Sequence, residues 1–358
     1  MARPAVRAVD RRQQDIRDLE KIRLPSLLPP ANGFAGMMPD GNNRALVLSD
    51  GRPGHFNQSI ALCRHLGMDF KVVDVAFRSS FARGVSHVFD FFGLRSRSLF
   101  SVGEFDGDFL MVISAGSRTY YANKVLAAKL GAKSVAVLAP RGYRWNYDCL
   151  VVPEYDAARP LANVVITPVN MTYLDEQLVA ENMVEFRQRH SAGGKAAWGV
   201  IIGGDSAGSK MDTGKMAEAM DRIEAMRNGE ELWVTTSRRT PTVVESDLRK
   251  RPINFLHLYS EEPYNPIPAF VHLCHRLFVT GDSTAMLSEC VTAGSDAVDV
   301  LLVSNKTEAK QHRFVQRLAK GGTVTVFGET DSLSREKVDL SQVAVAVQER
   351  LTKPPPRR

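Results

Sequence analysis

The sequence predicts an α/β protein made of two doubly wound, Rossmann-like halves that face each other across a cleft. The chain has 358 residues, and ordinary domains run to roughly 100–200 residues, so two domains are expected. Short apolar segments alternate with helix-like segments, and this alternation restarts after residue 195. Each half opens with an apolar segment that runs into a glycine-rich loop, which is typical of parallel sheets covered by helices on both faces.

Residues 1–43 are expected to form a flexible tail, because a charged, helix-prone stretch at 10–23 is followed by a proline pair at 29–30 that cannot continue a helix. The N-terminal domain is assigned to 44–190. Its helices are predicted at 57–66 and in a segment that ends at 130. Its buried strands are predicted at 45–48, 70–75, 109–113, 134–138, 149–152 and 164–166.

A predicted helix at 176–190 and a linker at 191–195 separate the halves, and the C-terminal domain is assigned to 195–350. A basic tail follows at 351–358. The helices of this half are predicted at 215–227, in a segment that ends at 291, and at 310–320. Its strands are predicted at 198–202, 232–235, 255–258, 276–280, 297–303 and 324–327.

The charge is concentrated at the two ends of the chain. The formal net charge is +6, of which residues 1–44 and 351–358 each contribute +3, so the body is formally neutral. A neutral body argues against nucleic-acid binding; the basic ends suit either solvation or weak attraction to anionic lipid. No apolar run approaches the roughly 20 residues of a membrane span, no signal-peptide core is present, and no CxxC pair occurs among the four cysteines. The expected location is cytoplasmic, with peripheral contact on the inner membrane face as a further expectation.

Two loops of the N-terminal half stand at the carboxyl ends of predicted strands, where open parallel sheets bind ligands. In the loop 49–55, Asp50 and His55 lie at the mouth of a buried strand, and either could act as general base on an acceptor hydroxyl. In the loop 114–119, Arg118 offers a guanidinium fork for a carboxylate or phosphate. The alternative for both loops is an ordinary strand-to-helix turn.

Three loops of the C-terminal half have the composition of an anion-binding site. The loop 203–208 is neither a P-loop nor GxGxxG, but it can present backbone N–H groups and hydroxyls to a diphosphate at a helix start. The loop 235–241 carries four hydroxyls and two arginines before its proline. In 279–289, Glu289 follows about two helical turns after the loop, where it could accept hydrogen bonds from a ribose diol. The alternatives are a solvated basic loop and an ordinary helix carboxylate.

Residues 77–100 mix six phenylalanines with four arginines. Such an amphipathic, basic and aromatic segment can lie in a lipid interface, or it can form a helix packed on the sheet; the sequence leaves both open. No HExxH motif or Cys/His cluster with zinc spacing is present, so no metal is expected.

The sequence resembles the elongated-mitochondria fission family of plants and its bacterial relatives, which are often described as glycosyltransferases. The matching stretches are SDGRPGHFNQ at 49–58, ISAGSRT at 113–119, LVVPEYD at 150–156, ITPVNMTYL at 166–174, IIGGDSAG at 201–208, TTSRRTP at 235–241 and VTGDSTAMLSEC at 279–290. A more distant similarity is to GT-B glycosyltransferases, especially the lipid-linked N-acetylglucosaminyl transferase of peptidoglycan synthesis. The resemblance implies a nucleotide-sugar donor in the C-terminal half and an acceptor in the N-terminal half.

The leading hypothesis is therefore a metal-independent glycosyltransferase that needs no cofactor and uses a UDP-linked sugar as donor substrate and a lipid or envelope glycan as acceptor. His55 and Asp50 are the predicted catalytic residues. The predicted donor-binding residues are Gly203, Gly204, Ser206, Ser237, Arg238, Gly281, Asp282, Ser283, Thr284 and Glu289. The predicted acceptor-side residues are Gly51, Gly54, Asn57, Gln58, Gly116 and Arg118. The alternatives are a non-enzymatic adaptor on a membrane surface and a sugar-nucleotide epimerase.

Overall fold

The computed structural model describes residues 43–156, 159–190, 196–206, 209–294, 297–306, 309–329 and 333–352. The two predicted tails therefore lie almost wholly outside the described residues. The linker 191–195 and the end of the predicted donor loop, Ala207 and Gly208, lie outside them as well.

The first half is built on one sheet with seven strands. They are β1 (Arg44–Ser49), β2 (Asp69–Phe77), β3 (Phe100–Val102), β4 (Met111–Ala115), β5 (Lys133–Val137), β6 (Cys149–Pro153) and β7 (Val164–Thr167). The spatial order is β3-β2-β1-β4-β5-β6-β7, and every neighbouring pair is parallel except β2 and β3. The short antiparallel strand β3 is absent from the sequence prediction, because three residues are too few to show a period.

Helices cover both faces of this sheet, so its central strand is apolar throughout. Ala45 and Val47 pack into one core and Leu46 and Leu48 into the other, and all four are fully buried. The helices of this half are α1 (Pro53–His65), α2 (Ser80–Phe92) and α3 (Tyr120–Leu130). Helix α1 starts with a proline, whose missing N–H is not needed in a first helical turn.

The second half repeats the plan with a six-stranded, all-parallel sheet. Its strands are β8 (Ala197–Ile201), β10 (Glu231–Thr235), β11 (Phe255–His257), β12 (Arg276–Thr280), β13 (Ala297–Leu301) and β15 (Thr325–Val326), and β9 (Lys210–Met211) pairs separately with β14 (Ser304–Lys306). The order in the main sheet is β11-β10-β8-β12-β13-β15. The remaining helices are α4 (Glu176–Arg189), α5 (Thr213–Met226), α6 (Thr242–Leu248), α7 (Ile267–Leu273), α8 (Thr284–Thr292), α9 (Ala309–Lys320) and α10 (Ser341–Thr352).

Both sheets thus run outward from their first strand in two directions, which is the doubly wound order. The predicted fold class, two Rossmann-like domains facing across a cleft in a GT-B-like arrangement, is confirmed. Within the described ranges, no helix is long and apolar enough to cross a membrane.

One helix from each half of the sequence packs against the sheet of the other half. Helix α4 lies at the end of the range assigned to the N-terminal domain, yet its buried Phe186 packs on Trp233 and Phe270 of the second half, with ring centroids 4.7 and 5.8 Å away. Helix α10, at the end of the chain, packs against β6, β7 and α1 of the first half through Val343 and Val347. An apolar stripe on a helix does not reveal which sheet it covers, so the sequence could not predict this exchange. The domain boundaries themselves stay predictions.

The segment 77–100 contains a helix packed on the first half, and the lipid-interface alternative stays a prediction. Its helix α2 buries one face, where Asp90 and Lys124 form an ion pair of 2.6 Å with both side chains about 4% exposed. Its other face, which carries Phe81 and Phe92, is exposed to solvent.

Candidate active site

Each sheet has one point at which the strand order reverses, and open parallel sheets bind ligands in the crevice at such a point. In the first half it lies between β1 and β4, and in the second between β8 and β12. The predicted loops 49–55 and 114–119 follow the first pair of strands. The predicted loops 203–208 and 280–289 follow the second pair. The four loops therefore fall at the two crevices of the fold.

The first crevice contains an aspartate–histidine pair. Nδ1 of His55 lies 3.0 Å from Oδ2 of Asp50; the Asp50 side chain is 1% exposed and the His55 side chain 27% exposed. The Arg52 N–H donates to the other Asp50 oxygen at 3.2 Å. Nε2 of His55 has no hydrogen-bond partner among the residues described. The imidazole, and not the carboxylate, is therefore the group that an acceptor can reach.

Gly116 makes room for this histidine. It has a φ of +93°, which L side chains rarely adopt. A Cβ at this position would overlap the His55 ring, with Cε1 only 2.8 Å away. Two of the predicted loops are thus in direct contact: the glycine after β4 holds the ring of the histidine that follows β1.

The other predicted acceptor-side residues surround this pair with differing exposure. Gln58 is almost buried; its amide donates to the Gly54 carbonyl at 2.8 Å, and its Oε1 has no partner among the described residues. Gly51, Gly54, Asn57 and Arg118 are exposed. Exposed residues at a crevice are free to contact a ligand, but nothing in their geometry selects one, and their role stays a prediction.

The second crevice is organised by Asp282. This buried carboxylate accepts hydrogen bonds from Thr280 Oγ1 at 2.7 Å, the Gly204 N–H at 3.0 Å and Arg239 Nη2 at 2.9 Å. Both oxygens accept hydrogen bonds within the protein. Asp282 therefore holds the loops after β8, β10 and β12 together, and a ligand would have to displace one of these bonds to reach it.

In the described part of the glycine loop after β8, the backbone N–H groups are paired within the protein. The N–H groups of residues 203–206 donate in turn to Thr280 Oγ1, Asp282 Oδ2, the Arg239 carbonyl and the Ser209 carbonyl. They are therefore not available to a diphosphate in this conformation. This pairing has a simple cause, because glycines that permit close approach to a ligand equally permit close approach of neighbouring protein.

Unpaired N–H groups occur instead at the start of α8. The Ser283 hydroxyl caps this helix by accepting from the Met286 N–H at 3.4 Å. The N–H groups of Ser283, Thr284 and Ala285 have no acceptor within the described ranges. The N-terminus of a helix combines such free donors with a favourable dipole for anions. Gly281 precedes this turn, and its own N–H donates to the Leu301 carbonyl at 3.0 Å.

The loop after β10 separates its two arginines. Arg239, which was not among the predicted site residues, turns inward and donates to the carbonyls of Gly204 and Asp205 as well as to Asp282. Arg238 is exposed and makes no hydrogen bond or ion pair with the described residues. Ser237 accepts from the Arg239 N–H at 3.2 Å, so its hydroxyl shapes the loop. No sequence signal distinguishes two adjacent arginines; only the direction of each side chain does.

Glu289 is the unusual carboxylate of the second half. It lies in α8, and burial raises the pKa of its carboxyl from 4.5 to about 7. Its carboxylate has no hydrogen bond or ion pair with any described residue. The buried hydroxyl of Ser206 likewise lacks a partner there. Buried polar groups in proteins are normally paired, and an unpaired carboxyl with a shifted pKa is typical of a functional site.

Two of the stretches that carry the family resemblance, 150–156 and 166–174, have no predicted site residue. They join the two halves. Asn170 donates from its backbone to Ser288 Oγ at 3.1 Å and from its amide to Thr284 Oγ1 at 3.3 Å, and it accepts from Tyr155 OH. Lys310 of α9 reaches Asp156 of the first half at 3.0 Å. The stretches 150–156 and 166–174 thus fix the helix that carries Glu289 relative to the first half.

Replacing Gly204 with alanine should lower the stability of the protein by about 2 kcal/mol through overpacking. A Cβ there would overlap the Arg239 carbonyl group, a backbone atom that cannot rotate away. Thermal unfolding followed by circular dichroism measures the effect. Gly54→Ala is the control, because a Cβ at Gly54 would have no atom within 4 Å; equal melting temperatures for both variants would contradict the packing described here.

Among the described residues, no three His, Cys, Asp or Glu side chains form a group that could hold a metal ion.

Comparison with known proteins identifies a family. Residues 53–351 match the family model described as mitochondrial fission ELM1. No curated protein matches the chain.

Solved structures with a similar course of the chain come from plants and bacteria. UGT89C1 of Arabidopsis thaliana, complexed with UDP-L-rhamnose, has a TM-score of 0.46 and 12% identity over 87% of this chain and 90% of that one. UDP-GlcNAc 2-epimerase from Neisseria meningitidis, bound to UDP-GlcNAc, has a TM-score of 0.45 and 12% identity over 86% and 90%. UGT71G1 of Medicago truncatula, complexed with UDP-glucose, has a TM-score of 0.43 and 9% identity over 88% and 91%.

Proposed function

The chain belongs to the mitochondrial fission ELM1 family, and from the chemistry of its two crevices we propose that it is a glycosyltransferase. It moves a sugar from a nucleotide-sugar donor to a lipid or envelope-glycan acceptor without using a metal ion. The observation that carries the proposal is the Asp50–His55 pair at the reversal point of the first sheet. A buried carboxylate behind an accessible imidazole is the arrangement that makes a histidine an effective general base.

In the acceptor half, His55 is the catalytic base and Asp50 is a positioning residue. Asp50 accepts from Nδ1–H, which leaves the lone pair on Nε2 directed at the crevice. Asp50 cannot take the proton from an acceptor itself, because its side chain is 1% exposed. Gly116 secures the ring position through its lack of a side chain.

In the donor half, the first turn of α8 and the exposed Arg238 bind the diphosphate, and Glu289 accepts from the ribose hydroxyls. The support for this assignment is that the α8 N–H groups and the Glu289 carboxyl are unpaired within the described part of the chain. Gly203 and Gly204 contribute by letting the loops pack closely around Asp282. The UDP-linked donor remains part of the proposal.

The proposed reaction is a displacement at the anomeric carbon of the donor sugar. The acceptor oxygen forms a bond to that carbon while the bond from the carbon to the diphosphate oxygen breaks. The acceptor proton passes to Nε2 of His55, and the electron pair of the broken bond leaves with the nucleoside diphosphate. Helix N–H groups and a guanidinium stabilise the charge that develops on the leaving group.

Thermal unfolding in the presence of UDP-, GDP-, CMP- and dTDP-sugars, with no metal added, tests donor binding directly. A ligand that binds only the folded state stabilises it by about 2.7 kcal/mol at one hundred times its dissociation constant. We expect one nucleotide class to raise the melting temperature. Glu218→Gln, an exposed carboxylate on α5, is the control variant and should respond like the native chain.

The absence of a shift with every nucleotide sugar would contradict the proposal and favour the second candidate, a non-enzymatic adaptor on a membrane surface. The exposed apolar face of α2 is the observation that favours an adaptor. If a donor binds but is converted to an isomer without an acceptor, the chain is an epimerase; chromatography of the reaction products separates these outcomes.

A further inference from the structure

Helix α2 exposes a continuous apolar stripe. Five of the fifteen exposed large apolar side chains in the described part of the protein lie between residues 81 and 94. The three phenylalanines of this group, Phe81, Phe91 and Phe92, are 81%, 70% and 68% exposed, and Val88 and Leu94 are more than half exposed. Exposed apolar clusters of this kind on a soluble surface mark an interaction site.

The opposite face of α2 is already packed against the first half. The stripe therefore cannot become part of the core by rotation of the helix. Asp90 accepts from Lys124 Nζ at 2.6 Å and from the Arg144 N–H at 2.6 Å. Ser86 Oγ lies 2.9 Å from the hydroxyl of Tyr143. Turning the phenylalanines inward would require a buried ion pair to break, which is strongly unfavourable. The exposed stripe is therefore a permanent surface of the first half.

The exposed charges within residues 77–100 are all positive. Residues 77–100 contain four arginines and a single carboxylate. That carboxylate is Asp90, which is buried and paired with Lys124. Arg78 and Arg95 are exposed at the two ends of α2, and Arg144 is exposed beside it, with Nη1 3.4 Å from the Phe91 carbonyl. The surface therefore presents aromatic side chains inside a cationic rim.

We propose that the outer face of α2 docks on an anionic lipid bilayer, with Phe81, Val88 and Phe92 inserted at the boundary between headgroups and acyl chains. Aromatic insertion together with arginine contacts to lipid phosphates is how amphipathic helices bind membrane surfaces, and each cation near an anionic leaflet adds to the attraction. A second copy of the chain is a poorer occupant, because a two-fold contact would bring the cationic rim against itself.

The docking face starts beside the first crevice. Arg83, in the first turn of α2, donates from Nη2 to Ser117 Oγ at 3.2 Å. Ser117 follows Gly116, which packs on His55. Helix α2 thus carries the docking stripe on one side and contacts the proposed acceptor loop on the other. That lipids deliver the acceptor rests on the proposed function, whereas docking itself does not.

Flotation of the full chain with vesicles tests the docking, in the absence of any nucleotide sugar. We expect the protein to float with vesicles of phosphatidylglycerol and phosphatidylcholine, and to remain unbound with phosphatidylcholine alone. The double variant Phe81→Ser/Phe92→Ser should bind at least about tenfold more weakly, because two side chains that each contribute more than 1 kcal/mol on burial are removed. Arg78→Glu should also weaken binding, with a smaller effect at high salt.

Two control variants make changes of the same kinds, apolar to serine and cation to glutamate, at another surface. Val243→Ser removes an apolar side chain that is 65% exposed on α6, and Lys250→Glu reverses an exposed charge near the end of that helix; both should bind vesicles like the native chain. Equal binding by the native chain and the double variant would overturn the proposal and assign lipid affinity to the basic tails. Dimers without lipid that the double variant abolishes would overturn it in favour of a contact between copies. Because no donor is used, failure here leaves the transfer assay unaffected.

Discussion

Sugar transfer by the His55→Asn variant should be slower by a factor of about one hundred to ten thousand, the range over which general bases accelerate reactions. The reason is the geometry of the first crevice: the imidazole is the accessible member of the pair, and Asp50 is out of reach. The loss should appear in kcat, since the base acts on the transferred proton. Donor affinity should be unchanged, because the proposed donor site lies in the other half. Steady-state kinetics with the donor identified by thermal unfolding measures both quantities.

A second histidine provides the control for this experiment. His275 precedes β12 at the amino end of its sheet, away from both crevices, and accepts from Trp198 Nε1 at 3.0 Å. His275→Asn should transfer sugar at the native rate. If His55→Asn keeps the native kcat, His55 is not the base. If it loses donor binding along with turnover, the residue has a structural role that reaches the second half.

The Glu289→Gln variant should gain stability at alkaline pH and lose donor affinity. Burial raises the pKa of this carboxyl from 4.5 to about 7 in the folded protein, so the folded state binds the proton more tightly than the unfolded state. The favourable contribution of the carboxyl is complete below pH 4.5 and is lost as the pH rises through about 7. Glutamine stays neutral, so at pH 8 the variant should be more stable by on the order of 2–3 kcal/mol.

The same substitution should weaken nucleotide-sugar binding about tenfold or more, because glutamine is a poorer acceptor for a ribose diol than a carboxylate. Urea unfolding at pH 5 and pH 8 and calorimetric titration with the donor measure the two effects. Opposite signs for stability and affinity identify a group kept for function at a cost in stability. If Glu289→Gln weakens both at pH 8, the carboxyl stabilises the fold and the proposed ribose contact is wrong.

The sequence predicted the architecture well because the signals of this fold are local. Buried strands such as 45–48 and 276–280 are short apolar runs, and each is followed by glycine or another small residue where the chain must turn. The strand order then brings loops that are distant in sequence to the same crevice. That consequence follows from topology alone, so the grouping of Asp50, His55 and Gly116 was within reach of sequence reasoning.

The parts that sequence could not supply depend on side-chain direction and on contacts between distant segments. Arg238 and Arg239 are adjacent residues of the same type, so the sequence does not distinguish them. Only Arg239 turns toward Asp282. The glycine loop suggested donors to a phosphate, whereas the N–H groups of residues 203–206 are paired within the protein. No periodic pattern in the sequence indicates which sheet α4 and α10 cover. None indicates that Asn170 contacts α8 either.

The exchanged helices set the order in which the chain can mature during synthesis. The face of β6 and β7 in the first half is covered by α10, which begins at Ser341 and is therefore synthesised long after β7 ends at Thr167. Every strand of that first sheet is complete once residue 167 has been made, yet its apolar surface near Cys149 and Val151 must wait until α10 has been made. Domains generally fold in the order in which they emerge, and exposed apolar surface in a waiting domain attracts chaperones or leads to aggregation. The first half of this protein is thus begun before the second half, but it is completed only after the strands of the second half have been made.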